Sequence, residues 1–148
     1  MEYSLRAATD ADYDFLYALH VATLRDAVEA TWGWDDAAQQ AMFRDRWGSG
    51  QREIVVLDGE DAGVVAVDRG DSGVFLNLTA IHPRHQRRGV GTRIIRDLID
   101  DTHDRGLPLT LRVLKANPAA RRLYHRLGFS VTEELPERYV MTCAPPQQ

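Results

Sequence analysis

Apolar residues along this chain alternate between a spacing of two and a helical spacing, and each change of period marks an element. Tyr3-Ser-Leu-Arg-Ala-Ala8 alternates as a short strand. Thr9-x-x-Asp12 then supplies a capping signal for a helix carrying Phe15, Leu16 and Leu19. Thr23 to Gly48 predicts two helical pieces broken near Trp32-Gly33-Trp34, with Met42, Phe43 and Trp47 as apolar surface and Gly48 as the stop. Glu53–Leu57 and Gly63–Val67 are β-branched runs around Asp58-Gly59-Glu60-Asp61, a hairpin by its turn residues. A further turn at Gly70–Gly73 leads into Val74–Ile81, completing a three-stranded antiparallel meander. Val90, Ile94, Ile95, Leu98 and Ile99 recur at helical spacing, with Asp97, Asp100, Asp101 and Asp104 towards the other face, until Gly106-Leu-Pro108 ends the helix. Leu109–Leu114 reads as a strand, which the crossover helix places parallel to the one ending at Ile81. Asn117 caps the next helix, Pro118 takes its first position and Gly128 its left-handed stop. Phe129–Glu133 and Arg138–Thr142 supply two last strands. The expected architecture is α+β, a mixed sheet flanked by helices.

A chain of 148 residues with 44% apolar content can bury a real core, and no linker-like stretch divides it, so residues 1–148 are read as a single domain. The net charge of -4 does not point to nucleic acid or to a membrane surface. Its distribution says more, because Ser72 through Arg96 holds no Asp or Glu while Arg84, Arg87, Arg88, Arg93 and Arg96 all fall there. Cys143 is the only cysteine, so no intrachain disulfide can form, which fits a reducing compartment. The start Met1-Glu-Tyr-Ser-Leu-Arg lacks a secretory pattern, and no apolar run approaches the ~20 residues of a membrane span, so the cytoplasm is the expected location.

The basic stretch also carries the chemistry. From Asn77 to Thr92 a strand-like run passes into a glycine-bearing turn and then a helix, the arrangement of a phosphate cradle: glycines 89 and 91 let amides approach an anion, and the helix directs its free N–H groups at it. Ile94 stands where a dinucleotide fingerprint needs its third glycine, and no Gly-Lys-Ser/Thr follows as in a Walker loop. Gln86-Arg87-Arg88-Gly89-Val90-Gly91 resembles instead the Q/R-x-x-G-x-G/A loop of the GNAT (GCN5-related) N-acetyltransferases, which bind acetyl-coenzyme A. Downstream, Asn117-Pro-Ala-Ala-Arg-Arg-Leu-Tyr-His-Arg-Leu-Gly-Phe129 resembles the family's second cofactor segment, N-x-x-A-x-x-x-Y-x-x-x-G-F. The likeness is specific over roughly residues 74–129. It implies a mixed, mostly antiparallel sheet of about six to seven strands with about four helices, and a splayed parallel strand pair forming the cofactor cleft.

The resemblance further implies that Gln86, Arg87, Arg88, Gly89, Val90, Gly91 and Thr92 hold the diphosphate and that the main chain of Thr79, Ala80 and Ile81 bonds the pantetheine arm. Asn117, Ala120 and Tyr124 would complete the cofactor side. Tyr124 takes the place of the family's tyrosine acid, able to protonate the departing sulfur because a phenol of pKa ~10 is protonated at neutral pH. It equally belongs to the apolar stripe Ala120, Leu123, Tyr124, Leu127, and Asn117 is in any case a helix cap. Some members carry a glutamate base on the strand before the loop, yet Val74–Ile81 offers only Asn77 and Thr79. The remaining base candidates are Glu29, Asp35 and Asp36 around Trp32 and Trp34, with Glu29 chosen; carboxylates beside two indoles suit a cationic amine. Glu29, Trp32, Trp34 and Asn77 are therefore the expected acceptor contacts, alongside a reading in which they only pack or face solvent.

No metal is expected: His82-Pro-Arg-His85 has the bare spacing of two ligands, without a Cys or carboxylate beside it. His20 and His125 are read as half-buried helix residues that can line the cleft. The expected function is acetyl transfer from acetyl-coenzyme A to a primary amine by direct attack in a ternary complex, on a small molecule or peptide. Its rivals are an inactive coenzyme A-binding sensor or scaffold and, on the arginines alone, a nucleic-acid binder. The sequence leaves acceptor identity and homodimerisation open.

Overall fold

The computed structural model describes residues 2–47 and 51–146. Its elements in chain order are β1 (Tyr3–Ala7), α1 (Tyr13–Trp32), α2 (Asp36–Asp45), β2 (Arg52–Leu57), β3 (Glu60–Arg69), β4 (Val74–Ile81), α3 (Val90–Asp104), β5 (Leu109–Leu114), α4 (Pro118–Arg126), β6 (Ser130–Glu134) and β7 (Arg138–Cys143), with 3-10 turns at Asp10–Asp12 and Pro83–His85. The strands form a seven-stranded sheet in the order β1-β2-β3-β4-β5-β7-β6, in which only β4 and β5 run parallel among the pairs whose register is defined. That parallel ladder joins Val74 to Leu109, Phe75 to Thr110 and Leu76 to Leu111. The mixed sheet and the α+β class agree with expectation. The chain groups into two compact units, residues 1–66 with 78–91 and residues 67–77 with 92–148.

In the first unit, Asp58 (φ 53°) and Gly59 (φ 79°) make a tight turn with two left-handed residues between β2 and β3, the conformation that matches strand twist. Leu16, Leu19, Ile54 and Val64 form the buried centre, with Phe15, Phe43, Trp47, Val56, Leu78 and Ala80 packed against it. The helix carrying Phe15, Leu16 and Leu19 and the first helical piece from Thr23 onward are one element, since α1 runs unbroken over twenty residues. The Thr23 hydroxyl donates back to the Leu19 carbonyl at 2.7 Å, a bond made within the continuing helix. The break at Gly33 is present, with φ 81° ending α1 and the Asp35 side chain accepting from Ala38 N–H to begin α2. The expected stop at Gly48 lies outside the described residues.

The second unit is centred on fully buried Leu109, Leu111, Phe129 and Met141, with Leu111 facing Met141 across the β5–β7 ladder. All five apolar positions assigned to the α3 stripe, Val90, Ile94, Ile95, Leu98 and Ile99, are buried. Among the described residues no helix is long and apolar enough to cross a membrane.

Candidate active site

The glycine-bearing loop follows β4 in the first unit. Arg87 (φ 65°) and Gly89 (φ 81°) are both left-handed, so the chain turns sharply just before Val90 opens α3. A left-handed arginine is uncommon outside sites where the conformation has a use. The N–H groups of Val90, Gly91 and Thr92, in the first turn of a fifteen-residue helix, have no acceptor within that helix. A Cβ at Gly89 would meet nothing within 4 Å, so its requirement is conformational and leaves open space over the backbone. Gln86 donates from Nε2 to the Ile81 carbonyl at 2.8 Å, tying the loop to the end of β4. Arg88 donates to Asp58 in the β2–β3 turn at 2.8 Å, and its guanidinium holds that carboxyl below the ordinary range. Arg84 lies 3.8 Å and His85 3.3 Å from Glu60. The carboxylates absent from the basic segment are thus supplied by that turn. These groups fit a diphosphate: amides, a steric opening and arginines in one loop.

In the second unit, α4 places Tyr124 by its own C-terminal geometry. Phe129 N–H donates to the Tyr124 carbonyl at 3.0 Å and Gly128 N–H to His125 at 3.1 Å, with Gly128 at φ 106°. This is a Schellman motif, and its usual apolar contact is the edge-to-face meeting of the Tyr124 and Phe129 rings, centroids 5.8 Å apart. The Y-x-x-x-G-F spacing therefore has a local physical cause. Burial pushes the Tyr124 phenol above its ordinary value, and its hydroxyl has no hydrogen-bond partner among the described residues. It stays protonated at neutral pH. Asn117 accepts from Ala120 N–H at 3.2 Å, the expected cap. Asn77 donates to Asp68 at 2.7 Å.

The segment around α1 and α2 arranges the acceptor candidates otherwise than the sequence suggests. Glu29 is exposed, 3.9 Å from Arg25. Asp35 is committed to its cap and Asp36 accepts from the Trp34 indole N–H. The chain's own Arg25 lies over the Trp34 ring, 5.3 Å from its centroid, on the aromatic surface expected to receive a substrate cation. Trp32 is half exposed, at 51%.

The contacts made here by His20 and Arg52 carry no signal in the sequence. His20 sits among the Tyr17, Trp34 and Phe43 rings and meets Gln39 Oε1 at 3.0 Å through Nε2. Arg52 stacks on Phe43 and Trp47 while donating to the Trp47 and Arg46 carbonyls just past α2. Both line a cavity of about 20 Å³ in the first unit, beside Leu78 and Ala80 of β4. Among the described residues no group of three His, Cys, Asp or Glu side chains is placed to hold a metal.

Comparison with known proteins finds acetyltransferases among the relatives of this chain. Over 58 residues the chain is 36% identical to an L-methionine sulfoximine/L-methionine sulfone acetyltransferase of Salmonella typhimurium, covering 38% of this chain and 34% of that protein. Over 61 residues it is 41% identical to the ribosomal protein bS18-alanine N-acetyltransferase of the same organism, covering 40% of each. The chain thus aligns with a third to two fifths of the length of these curated relatives. Among solved structures, the Escherichia coli ribosomal-protein-S18-alanine N-acetyltransferase superposes with a TM-score of 0.69 at 18% identity, over 99% of this chain and 96% of that one. A Salmonella typhimurium acetyltransferase, yncA, solved with acetyl-CoA, gives 0.64 at 21% identity, over 100% and 96%. The model of the acetyltransferase (GNAT) family matches residues 13–129, which include the diphosphate-type loop, the Tyr124 helix and the α1–α2 segment, and the chain belongs to that family.

Proposed function

We propose that the protein is an N-acetyltransferase that moves the acetyl group of acetyl-coenzyme A to a primary amine by direct attack, working as one domain over residues 1–148 in the cytoplasm. The observation that carries the reading is the loop: two left-handed residues, Arg87 and Gly89, ahead of a helix whose first N–H groups lack intrahelical partners, among arginines. Bound there, acetyl-coenzyme A supplies an activated thioester. The amides from Gly89 to Thr92 bind its diphosphate, with Arg87 and Arg88 adding charge, and the main chain of Thr79, Ala80 and Ile81 orients the pantetheine and polarises the carbonyl. Asn117 and Ala120 contact the same arm. Tyr124 Oη gives its proton to the sulfur as the C–S bond breaks, a role supported by its lack of another partner and by the burial that keeps it protonated. Glu29, with Trp32 and Asn77, draws the ammonium form of the acceptor from solvent.

The relatives' names supply acceptor chemistry, an amino-acid-like amine or an N-terminal alanine. Calorimetry with acetyl-coenzyme A, followed by thiol release on adding L-methionine sulfone, spermidine or an alanine-initiated peptide, tests the proposal. Binding with thiol release is expected. Purified, folded protein with no affinity for coenzyme A overturns it.

A further inference from the structure

The reaction requires an unprotonated amine; near Trp32 and Trp34, Asp35 is committed to its cap and Asp36 to the Trp34 indole, while Glu29 is exposed with Arg25 at 3.9 Å. The cavity under α1 offers another acceptor for the proton. Its wall includes His20, Thr23, Phe43, Arg52, Leu78 and Ala80, and the rest of it is aliphatic. Thr23 spends its hydroxyl proton on the Leu19 carbonyl, and an arginine holds its own proton permanently. His20 is thus the only wall side chain able to take up a proton. Leu78 and Ala80 alternate along β4 with Thr79 and Ile81, so the cavity abuts the strand segment assigned to the thioester.

The second observation is Gln39. It is the only buried residue among the described positions of α2, where an apolar side chain would pack without the cost of desolvating an amide. Its Oε1 is used on His20 Nε2 at 3.0 Å. With Oε1 as acceptor, Nε2 carries the proton and Nδ1 keeps the lone pair. A base whose tautomer is set by a third group is the arrangement that proton abstraction needs.

We propose that His20 is the general base of the acetyl transfer and that Gln39 positions it. This rests on the acetyltransferase reading above. The ammonium form of the acceptor gives one N–H proton to His20 Nδ1, making an imidazolium that keeps Nε2–H on Gln39 and later yields its proton to solvent. The freed nitrogen forms the C–N bond as the C–S bond breaks. Sulfur takes the Tyr124 proton, and the second proton lost by nitrogen returns through solvent to the tyrosinate. The charged and titratable groups around His20 are Arg52 across the cavity, Tyr17 on its own helix, and Arg25 and Asp36, which both meet the Trp34 ring.

The test uses the full chain, acetyl-coenzyme A, and L-methionine sulfone or an alanine-initiated peptide. His20→Gln is expected to lower kcat/KM by at least ~10²-fold and to erase the acidic limb of its pH profile, with coenzyme A affinity within about twofold of wild type. Added imidazole is expected to recover about tenfold or more in His20→Ala, and Gln39→Leu to lose about tenfold in kcat. Unchanged coenzyme A affinity certifies the fold of each variant; should His20→Gln fail that check, His20→Asn replaces it. Turnover within about threefold of wild type, or a loss with the pH limb intact and no imidazole rescue, overturns the proposal while leaving the enzyme reading in place. A wild-type protein that releases no thiol sinks both.

Discussion

Gly63→Ala tests whether the end of β4 must hold its present position. A Cβ built on Gly63 lies 2.3 Å from the Ala80 carbonyl oxygen, 2.8 Å from Ile81 Cδ1 and 3.2 Å from Ile81 Cα. The methyl of Ile81 can rotate away, but the oxygen and Cα are backbone. Ordinary contact begins near 3.4 Å, so β4 must retreat by 3.4 less 2.3, about 1.1 Å, at the residue whose main chain is assigned to the thioester. Overpacking of this kind costs about 1–3 kcal/mol, which for a chain of this size lowers Tm by roughly 3–10 °C. A displacement of about 1 Å in a reacting group also costs on the order of 10²-fold in turnover. Differential scanning fluorimetry and thiol release on the same preparation read both effects. Gly91→Ala is the control, because its Cβ would stand at an ordinary 3.5 Å from Ile81 Cγ1 inside a helix, and it should melt no lower than wild type. Gly63→Ala melting within about 1 °C of wild type and turning over within about twofold would refute the packing argument.

Tyr124→Phe keeps the ring contact with Phe129 and removes only the hydroxyl, so turnover should fall about 10²-fold while the calorimetric affinity for coenzyme A holds; equal turnover would remove Tyr124 as the acid. Because burial raises its phenol, any alkaline loss of activity through Tyr124 should begin above the ordinary tyrosine range of ~10. Asp12 accepts from Arg6 at 2.8 and 3.0 Å and from Thr9 N–H, and with Arg6 the main cause its carboxyl is held down from 3.8 to about 2. A folded value below the unfolded one stabilises the protein at pH above about 4 and is lost as pH falls towards 2, worth roughly 2 kcal/mol at about 1.4 kcal/mol per pH decade. Urea midpoints at pH 6 and pH 2.5 should therefore differ by more in wild type than in Asp12→Asn; equal differences count against the assignment. Asn117→Ala removes the α4 cap and should cost about 1 kcal/mol, a melting shift of roughly 2–4 °C, and no shift would mean the cap is idle.

What could be read from the chain alone is what neighbouring residues settle among themselves. Asn117, Pro118, Gly128 and Phe129 specify α4 because a cap, a fixed φ, a left-handed residue and a ring contact all act within thirteen residues. The run from Val74 to Gly91 was equally plain, since strand alternation, glycine conformations and helical spacing need no distant partner. Tertiary structure decided the rest. That the helix carrying Leu19 continues through Thr23 is settled in the fold, where the Thr23 hydroxyl bonds the Leu19 carbonyl. Gly63 is an ordinary strand residue until the register of β3 brings it against Ala80. His20 and Gln39 stand nineteen positions apart on two helices, and no periodicity in either predicts that they meet. Spacing along a chain encodes which face a side chain takes, whereas the partner on that face follows from how elements pack, and packing is settled only when the whole core closes.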